Sequence, residues 1–242
     1  MKSPKKILII IQRSNGDVFL SNSLIQQLYE YYLKPKIDLL VNDDTFDVAS
    51  LIPCINKIHT FSYQKKKNSR WKQEINLVLN LYKKYDLSIN LTASDRSVLY
   101  ALLAGKTSIS AIEKVNYKSW WKKKFLDHYY YSDITRHILL NNLEPLRILN
   151  IRHDNLQKPI NTLSNDFFKI KAKLKSQDIK KFIIFHPSAQ YNYKVYPKHL
   201  RFKLLTLLNT LEIPIIITGG GAELDLNIKN EVPALQNIYN FI

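Results

Sequence analysis

The first thirty residues contain the pattern that most limits the fold of this chain. Lys6–Ile11 is a continuously apolar run, and a short polar stretch separates it from apolar residues that recur at helical spacing between positions 18 and 28. A strand buried on both faces is a continuous apolar run, whereas a helix packed on a sheet repeats its apolar residues every three to four positions. The pattern therefore predicts strand, tight turn and helix, which is how a parallel α/β sheet begins.

The same alternation continues through the first half of the chain. It predicts strands over residues 37–41, 55–60 and 87–91, and helices over residues 43–51 and 71–85. We expect these elements to form an N-terminal Rossmann-like domain over residues 1–155, with a doubly wound parallel sheet.

A second cycle follows a polar linker over residues 152–165. Helices are predicted over residues 167–174 and 200–211, and strands over residues 181–185 and 213–218. We expect a partial Rossmann-like C-terminal domain over residues 156–242. Because about two strands cannot bury both faces of a parallel sheet, this second domain is expected to be incomplete.

Composition narrows the class of protein. The single cysteine, Cys54, excludes an intramolecular disulfide and a cysteine-based metal cluster, and favours a reducing cytosol. No apolar stretch approaches the roughly 20 residues that a membrane helix needs. The sequence also lacks a G-x-G-x-x-G fingerprint and a Walker A motif, which argues against the usual dinucleotide and P-loop sites.

The net charge suits a polyanionic partner, either nucleic acid or the anionic face of a membrane, and the alternative is the lysine-rich composition of an AT-rich genome. The 36 Lys and Arg residues outnumber the 20 Asp and Glu residues, which gives a formal net charge of +16. Residues 114–124 concentrate part of this charge and interleave it with tryptophans. Such a segment is typical of a surface that meets phosphates or a membrane interface, and equally of a solvated lysine-rich loop.

The turn after the first strand is the first candidate site. It contains Arg13, Asn15, Gly16 and Asp17, at the carboxyl end of a strand, where open α/β sheets bind their ligands. Gly16 permits a tight turn or close backbone approach. Asp17 is either a general base or a residue that stabilises the following helix through its dipole.

Two loops of the second half form another candidate site. The loop that starts at His186 offers Ser188 and Lys194, whose hydroxyl and ammonium groups suit phosphate oxygens. The run Thr218, Gly219 and Gly220 with Glu223 leaves room for a nucleotide, and a carboxylate there can accept hydrogen bonds from ribose hydroxyls.

Taken in order, these motifs resemble a known family. The motifs are Arg13-Ser14-Asn15-Gly16-Asp17, Arg96-Ser97, Arg136-His137, His186-Pro187-Ser188-Ala189 with Lys194, and Thr218-Gly219-Gly220 with Glu223. From residue 5 to the last residue, the sequence is similar to the lipopolysaccharide heptosyltransferases of glycosyltransferase family 9.

The resemblance implies a GT-B enzyme that moves a heptose from ADP-heptose to the lipopolysaccharide inner core with inversion, and without a metal or other cofactor. It makes Asp17 the general base. The expected roles of the other residues are acceptor binding by Arg13, Asn15, Gly16 and Arg96, and nucleotide-sugar binding by Ser188, Lys194, Thr218, Gly219, Gly220 and Glu223.

The sequence also departs from the family pattern. The family continues beyond the equivalent of Ile242 into an Asp-Thr-Gly-x-x-His motif that grips the sugar nucleotide, so we expect this chain to be a truncated form. Tyr196 stands where the family has tryptophan. A non-catalytic relative that binds acceptor lipid or a partner protein is therefore an alternative reading.

The acceptor implied by the resemblance is a phosphorylated lipid of the inner leaflet, so the expected location is cytoplasmic, peripheral on that membrane. Residues 114–124 would then be a membrane-facing patch in which Lys122, Lys123 and Lys124 contact anionic lipid. A nucleic-acid-binding protein is the remaining alternative; it fits the charge, but the sequence lacks any helix-turn-helix, zinc or RNP-like signature.

Overall fold

The computed structural model describes residues 3–65, 67–115, 119–152, 160–161, 164–189 and 191–242. The chain divides into two compact units, Met1–Thr162 and Leu163–Ile242. Of the predicted linker over residues 152–165, positions 153–159, 162 and 163 lie outside the described residues.

The first unit contains a six-stranded, all-parallel sheet. Its strands are β1 Lys6–Ile11, β2 Lys36–Asn42, β3 Ile55–Phe61, β4 Tyr85–Asn90, β5 Gly105–Ile112 and β6 His128–Tyr131. The strand order is β3-β2-β1-β4-β5-β6. This is the Rossmann order, and its direction reverses between β1 and β4, where such sheets bind ligands. The predicted α/β fold of this unit is confirmed.

Helices cover both faces of this sheet. They are α1 Asn15–Leu20, α2 Asn22–Tyr31, α3 Phe46–Ser50, α4 Lys67–Leu81, α5 Asp95–Ala104, α6 Trp120–Phe125 and α7 Ile138–Ile148. Alternate residues of β1 point to opposite faces, so Ile7 and Ile9 pack with α1, α2 and α7, whereas Leu8 and Ile10 pack with α4 and α5. All five isoleucine and leucine residues of β1 are therefore fully buried.

Two helix predictions differ from the structure. The helix predicted across residues 18–28 is broken at Ser21, whose hydroxyl donates to the carbonyl of Val18 at 2.6 Å. A serine hydroxyl that bonds a backbone carbonyl in this way competes with the helical ladder. The helix predicted over residues 71–85 ends at Leu81, because Tyr85 already opens β4.

The second unit is a three-stranded parallel sheet with three helices among the described residues. Its strands are β7 Ile183–Phe185, β8 Ile215–Ile217 and β9 Ile238–Asn240, in the order β7-β8-β9, and its helices are α8 Ser164–Ser176, α9 Lys198–Asn209 and α10 Glu223–Glu231. The expectation of about two strands missed β9. Leu205 of α9 packs on Ile215 and Ile217 of β8 to form the core of the unit.

Candidate active site

The turn after β1 brings two of the predicted site residues into contact. Asp17 lies in the first turn of α1, and its Oδ2 accepts hydrogen bonds from Arg13 Nε at 2.8 Å and from Ser14 Oγ at 3.1 Å. Within the described residues, Oδ1 of Asp17 has no hydrogen-bond partner. Because the Asp17 side chain is 19% exposed, a ligand can reach that oxygen.

Gly16 is exposed inside α1 rather than in a strained turn. No glycine of the described chain has a positive φ, and a β-carbon on Gly16 would meet nothing within 4 Å. The structure therefore places Gly16 in a helical turn that needs no positive φ, and the close backbone approach that glycine permits is left open. Asn15 is likewise exposed beside it, and ligand approach to both stays a prediction.

A buried polar network joins β1 and β4, the two strands between which the strand order reverses (the switch point of the sheet). Asn90, at the end of β4, donates from Nδ2 to the carbonyl of Thr92 at 2.6 Å and to Ser110 Oγ at 2.8 Å. Thr92 Oγ1 in turn accepts from the backbone N–H of Gln12 at 3.0 Å. The carboxyl ends of β1 and β4 are therefore fixed relative to each other, which positions the Asp17 turn.

Gln12 is a candidate that sequence reasoning missed. Its side chain is 7% exposed, yet neither its amide nitrogen nor its amide oxygen has a partner among the described residues. A buried amide without partners costs free energy unless a ligand or water satisfies it. The position of Gln12, directly after β1, was the available signal.

A second group of charges lies close to this turn. Tyr130 of β6 is buried, and burial, followed by the charge of Glu144, raises the pKa of its phenol, whereas the charge of Arg13 opposes the rise. Glu144 lies on α7, which packs against α1. Arg13 and Glu144 are therefore both within electrostatic range of the Tyr130 phenol.

Glu144 organises a cluster of arginines. It accepts from Arg136 Nη1 at 2.7 Å and from Arg147 Nε at 2.8 Å. Burial alone would raise the pKa of Glu144, but the hydrogen bonds from Arg147 and Arg136 outweigh burial and lower it. With Arg152, these side chains line a cavity of about 470 Å³ whose apolar wall is formed by Leu140, Leu143 and Ile151. Three guanidinium groups and one carboxylate give this cavity a net positive charge, which suits an anionic ligand.

Arg96 is placed differently from the other predicted acceptor residues. Its Nε pairs with Glu74 at 2.8 Å, and its guanidinium lies over the rings of Phe61 and Tyr63, at 4.4 Å and 5.1 Å from their centroids. In the described part of the chain, Arg96 therefore contacts residues on the face of the sheet that α4 covers. It makes no contact with Asp17. An acceptor-binding role for Arg96 stays a prediction.

In the second unit, the loops after β7 and β8 share one hydrogen-bonded chain. His186 Nδ1 lies 3.1 Å from Thr218 Oγ1, and His186 Nε2 lies 3.3 Å from Ser188 Oγ. Asp225 of α10 lies beside this chain, and the Ser188 hydroxyl lowers the pKa of its carboxyl group most; burial opposes this, and the Gly220 N–H, the charge of His186 and the Ala222 N–H add to it. Its Oδ1 is buried and has no hydrogen-bond partner among the described residues. Sequence reasoning missed Asp225 because it reads as an ordinary acidic residue in the first turn of a helix.

The two predicted glycines of this loop lie against Asp225. A β-carbon on Gly219 would be 3.0 Å from Asp225 Oδ1 and 3.1 Å from Ile242 Cγ1, and one on Gly220 would be 3.2 Å from Asp225 Oδ2. A side chain at Gly219 would therefore require the Asp225 and Ile242 side chains to move by a few tenths of an ångström. Room for a nucleotide over this loop, which the sequence suggested, stays a prediction.

Lys194 and Glu223 stand apart from this chain of hydrogen bonds. Lys194 is exposed, with its ammonium group 5.5 Å and 5.7 Å from the ring centroids of Tyr191 and Tyr193. Glu223 is exposed in the first turn of α10. Within the described residues, neither contacts Ser188, and their predicted nucleotide contacts stay untested.

One residue of the predicted membrane patch is not on the surface. Lys122 of α6 is fully buried, and its Nζ bonds Glu113 at 2.7 Å, Asp95 at 2.8 Å and the carbonyl of Ala93 at 2.9 Å. Its inclusion in a lipid-facing patch was wrong, because two carboxylates and a carbonyl already take up its three donors. Lys123 and Lys124 are exposed, and residues 116–118 of the segment lie outside the described residues.

The described ranges contain neither a cluster of metal ligands nor a membrane-spanning helix. No group of three or more His, Cys, Asp or Glu residues is placed there to hold a metal ion. None of the helices described is both long and apolar enough to span a bilayer.

Comparison with known proteins shows which proteins the chain resembles. No family model matches the sequence. Lipopolysaccharide heptosyltransferase 3 of Escherichia coli strain K12 is 27% identical over 228 residues, covering 91% of this chain and 64% of that protein. A glycosyl transferase family 9 structure from Veillonella parvula superimposes with a TM-score of 0.78 at 17% identity, covering 98% of this chain and 69% of that one. The chain resembles heptosyltransferases in its sequence and in its fold.

The GT-B fold expected for this heptosyltransferase-like chain is confirmed by a further solved structure. The Escherichia coli heptosyltransferase WaaC with ADP-2-deoxy-2-fluoro heptose has a TM-score of 0.74 at 14% identity, with 98% of this chain and 76% of that chain covered. The heptosyltransferase-like chain spans just under two thirds, 64%, of the length of the K12 relative.

Proposed function

We propose that the chain is a glycosyltransferase that moves a heptose from ADP-heptose to the inner core of lipopolysaccharide, with inversion. The observation that carries the proposal is the free Oδ1 of Asp17 at the switch point of the sheet, beside a carboxylate oxygen already held by Arg13 and Ser14. The name of the K12 relative and the ADP-sugar in the WaaC structure support the choice of sugar and donor.

In the proposed reaction, Asp17 is the general base. Its Oδ1 accepts the proton of the acceptor hydroxyl as that oxygen attacks the anomeric carbon of the donor. The new carbon–oxygen bond forms on the face opposite the diphosphate, the bond from the anomeric carbon to the phosphate oxygen breaks, and ADP leaves. Arg13 and Ser14 hold Oδ2, so that the carboxylate keeps one orientation during the transfer.

The acceptor would bind through its phosphates at the arginine cavity on α7. Arg136, Arg147 and Arg152 supply planar donors that match phosphate oxygens. Glu144 keeps the first two guanidinium groups in place before the acceptor arrives. Leu140, Leu143 and Ile151 offer an apolar wall to the ring faces of a sugar.

The donor would bind at the loops of the second unit. Ser188 and Thr218 would donate to its phosphates, the ammonium of Lys194 would stabilise the departing diphosphate, and Glu223 would accept from the ribose hydroxyls. The backbone at Gly219 and Gly220 would form the floor of this site. Asp225 would act as a positioning residue, since its carboxylate interacts with the Ser188 hydroxyl.

Because the acceptor is lipid-linked, we also propose that the chain acts in the cytoplasm, on the inner face of the membrane. Lys123 and Lys124 of α6 are exposed beside Trp120 and Phe125, which are 63% and 60% exposed. Lysines attract anionic lipid, and exposed aromatic rings insert at the headgroup level.

The direct test is an assay with the wild-type chain, ADP-heptose and a lipopolysaccharide acceptor that lacks its heptose. The proposal predicts release of ADP together with an acceptor mass increased by one heptose. UDP-glucose serves as the mismatched donor. Binding of ADP-heptose without any transfer would overturn the proposed enzyme and favour a non-catalytic relative.

A further inference from the structure

A small cavity lies at the opposite end of the first sheet from the Asp17 turn. It occupies about 210 Å³ where β1, β2 and β4 begin, and lysines at four positions line it: Lys6, Lys36, Lys57 and Lys84. Amides of Asn56 and Asn80 complete the rim. The cavity is smaller than the roughly 300–1,000 Å³ of pockets for drug-sized ligands, so it suits a small group rather than a whole cofactor.

None of these lysines is neutralised by an ion pair within the described part of the chain. By contrast, Lys106 at the same end of the sheet pairs with Asp86 at 2.9 Å. Lys6 and Lys36 are direct neighbours in the β1–β2 register. Like charges opposite each other in a sheet repel, so this arrangement favours a bound counter-anion.

The carboxylate in the cavity does not serve as that counter-anion. Asp38 Oδ1 accepts from Asn56 Nδ2 at 2.7 Å, and Asp38 Oδ2 accepts from the phenol of Tyr85 at 2.7 Å. His59 Nε2 lies 3.2 Å from that phenol and 3.7 Å from Asp38 Oδ2. The carboxylate is thus held by Asn56 and by the buried Tyr85 and His59, and none of the four lysines pairs with it.

We propose that this cavity is an anion site for a phosphate group, separate from the transfer site. Four ammonium groups against one carboxylate leave a strong positive potential, and the Asn56 and Asn80 amides add neutral donors. A larger cavity of about 700 Å³ shares Lys57, His59 and Asn80 with it and is lined by polar side chains and Leu77. The phosphate is therefore that of a phosphate monoester, whose polar organic part extends into the larger cavity.

Inorganic phosphate is the probe for the test. Thermal unfolding of the full chain is followed as phosphate replaces chloride at constant ionic strength, and backbone amide shifts are recorded by NMR. We expect a saturable rise in Tm with shifts centred on residues 36–38 and 56–59. In the double variant Lys36→Gln with Lys57→Gln, we expect the apparent phosphate affinity to fall about tenfold or more, because two of the four cations are lost.

The matched control removes the same charge from the second unit. Lys175→Gln with Lys203→Gln, on exposed faces of α8 and α9, should leave the phosphate response unchanged. Equal, unsaturable responses in all three proteins would mean non-specific screening and would overturn the proposal, as would no response in the wild type.

A vesicle arm identifies the source of the phosphate. The wild type and the Lys36/Lys57 double variant are sedimented with phosphatidic acid vesicles and with phosphatidylcholine vesicles. Weaker sedimentation of the variant with phosphatidic acid alone assigns the site to a lipid headgroup, and equal sedimentation assigns it to a soluble phosphate ester.

Discussion

Arg13 Nε lies 2.8 Å from Asp17 Oδ2, and this contact connects the short segment that follows β1 to the first turn of α1. The pair occupies one carboxylate oxygen and leaves the other open. A partly exposed ion pair four residues apart on the chain adds about 0.5 kcal/mol to stability. Its main consequence is therefore orientation, because it fixes which oxygen of Asp17 faces an incoming hydroxyl.

Replacing Gln12 by methionine separates a binding role from a structural one. The substitution removes two buried amide atoms that have no partner in the described structure while nearly keeping the side-chain volume. Stability should therefore stay equal or rise, by about 1 kcal/mol, and the KM for the acceptor should increase. Thermal unfolding and acceptor titrations measure the two effects; a clear loss of stability would show that Gln12 is satisfied internally.

Lys122→Ala should destabilise the first unit by about 3 kcal/mol, since it leaves two carboxylates and a carbonyl around an empty space. Lys123→Ala, one position along α6 and exposed, is the matched control and should change stability by less than about 0.5 kcal/mol. Urea unfolding of both variants measures the difference. Similar values for the two would contradict the buried placement of Lys122.

The pH dependence of stability reports on Glu144. Its pKa is lowered in the folded protein from an ordinary 4.5, so its contribution to stability is present above that value and is lost as the pH falls through the folded pKa. Glu144→Gln should be less stable than the wild type at pH 7. The gap should narrow steadily as the pH falls below the ordinary value of 4.5 towards the lowered pKa of the folded protein, as measured by urea unfolding. A gap that does not narrow at all below pH 4.5 would argue for a packing effect instead.

Vesicle binding tests the membrane surface of α6. Lys123→Glu with Lys124→Glu should reduce sedimentation with phosphatidylglycerol vesicles severalfold, because each lysine near an anionic surface contributes about 1 kcal/mol. Lys171→Glu with Lys175→Glu on α8 makes the same change of charge elsewhere and should have a smaller effect. If the two pairs behave alike, overall charge rather than α6 drives binding.

Local sequence patterns were sufficient to predict the elements that build the switch point. The apolar run of β1 and the polar turn after it need no tertiary information, and they placed Asp17 at the carboxyl edge of a parallel sheet. β5 was not predicted because Ser108 and Ser110 interrupt its apolar pattern. Both serines are buried in the fold, and each hydroxyl is satisfied by a hydrogen bond.

The sequence could not predict the role of residues whose partners lie far away along the chain. Lys122 reads as part of a charged run, and only the fold brings Asp95 and Glu113 to it. Asp225 reaches Ser188 across 37 positions of chain, counted from their residue numbers, so no local motif signals the pair. The same holds for the four lysines that line the cavity of about 210 Å³, which come from four separate elements or their flanks.

The central claim is that Asp17 is the base of a glycosyl transfer. The decisive measurement is single-turnover ADP release from ADP-heptose, with acceptor present, for the wild type, Asp17→Asn and the control Asp44→Asn, whose carboxylate is exposed near the end of β2. The account predicts a loss of at least about a hundredfold for Asp17→Asn, with donor affinity and Tm unchanged, and wild-type rates for Asp44→Asn. An Asp17→Asn protein that releases ADP at the wild-type rate would contradict it.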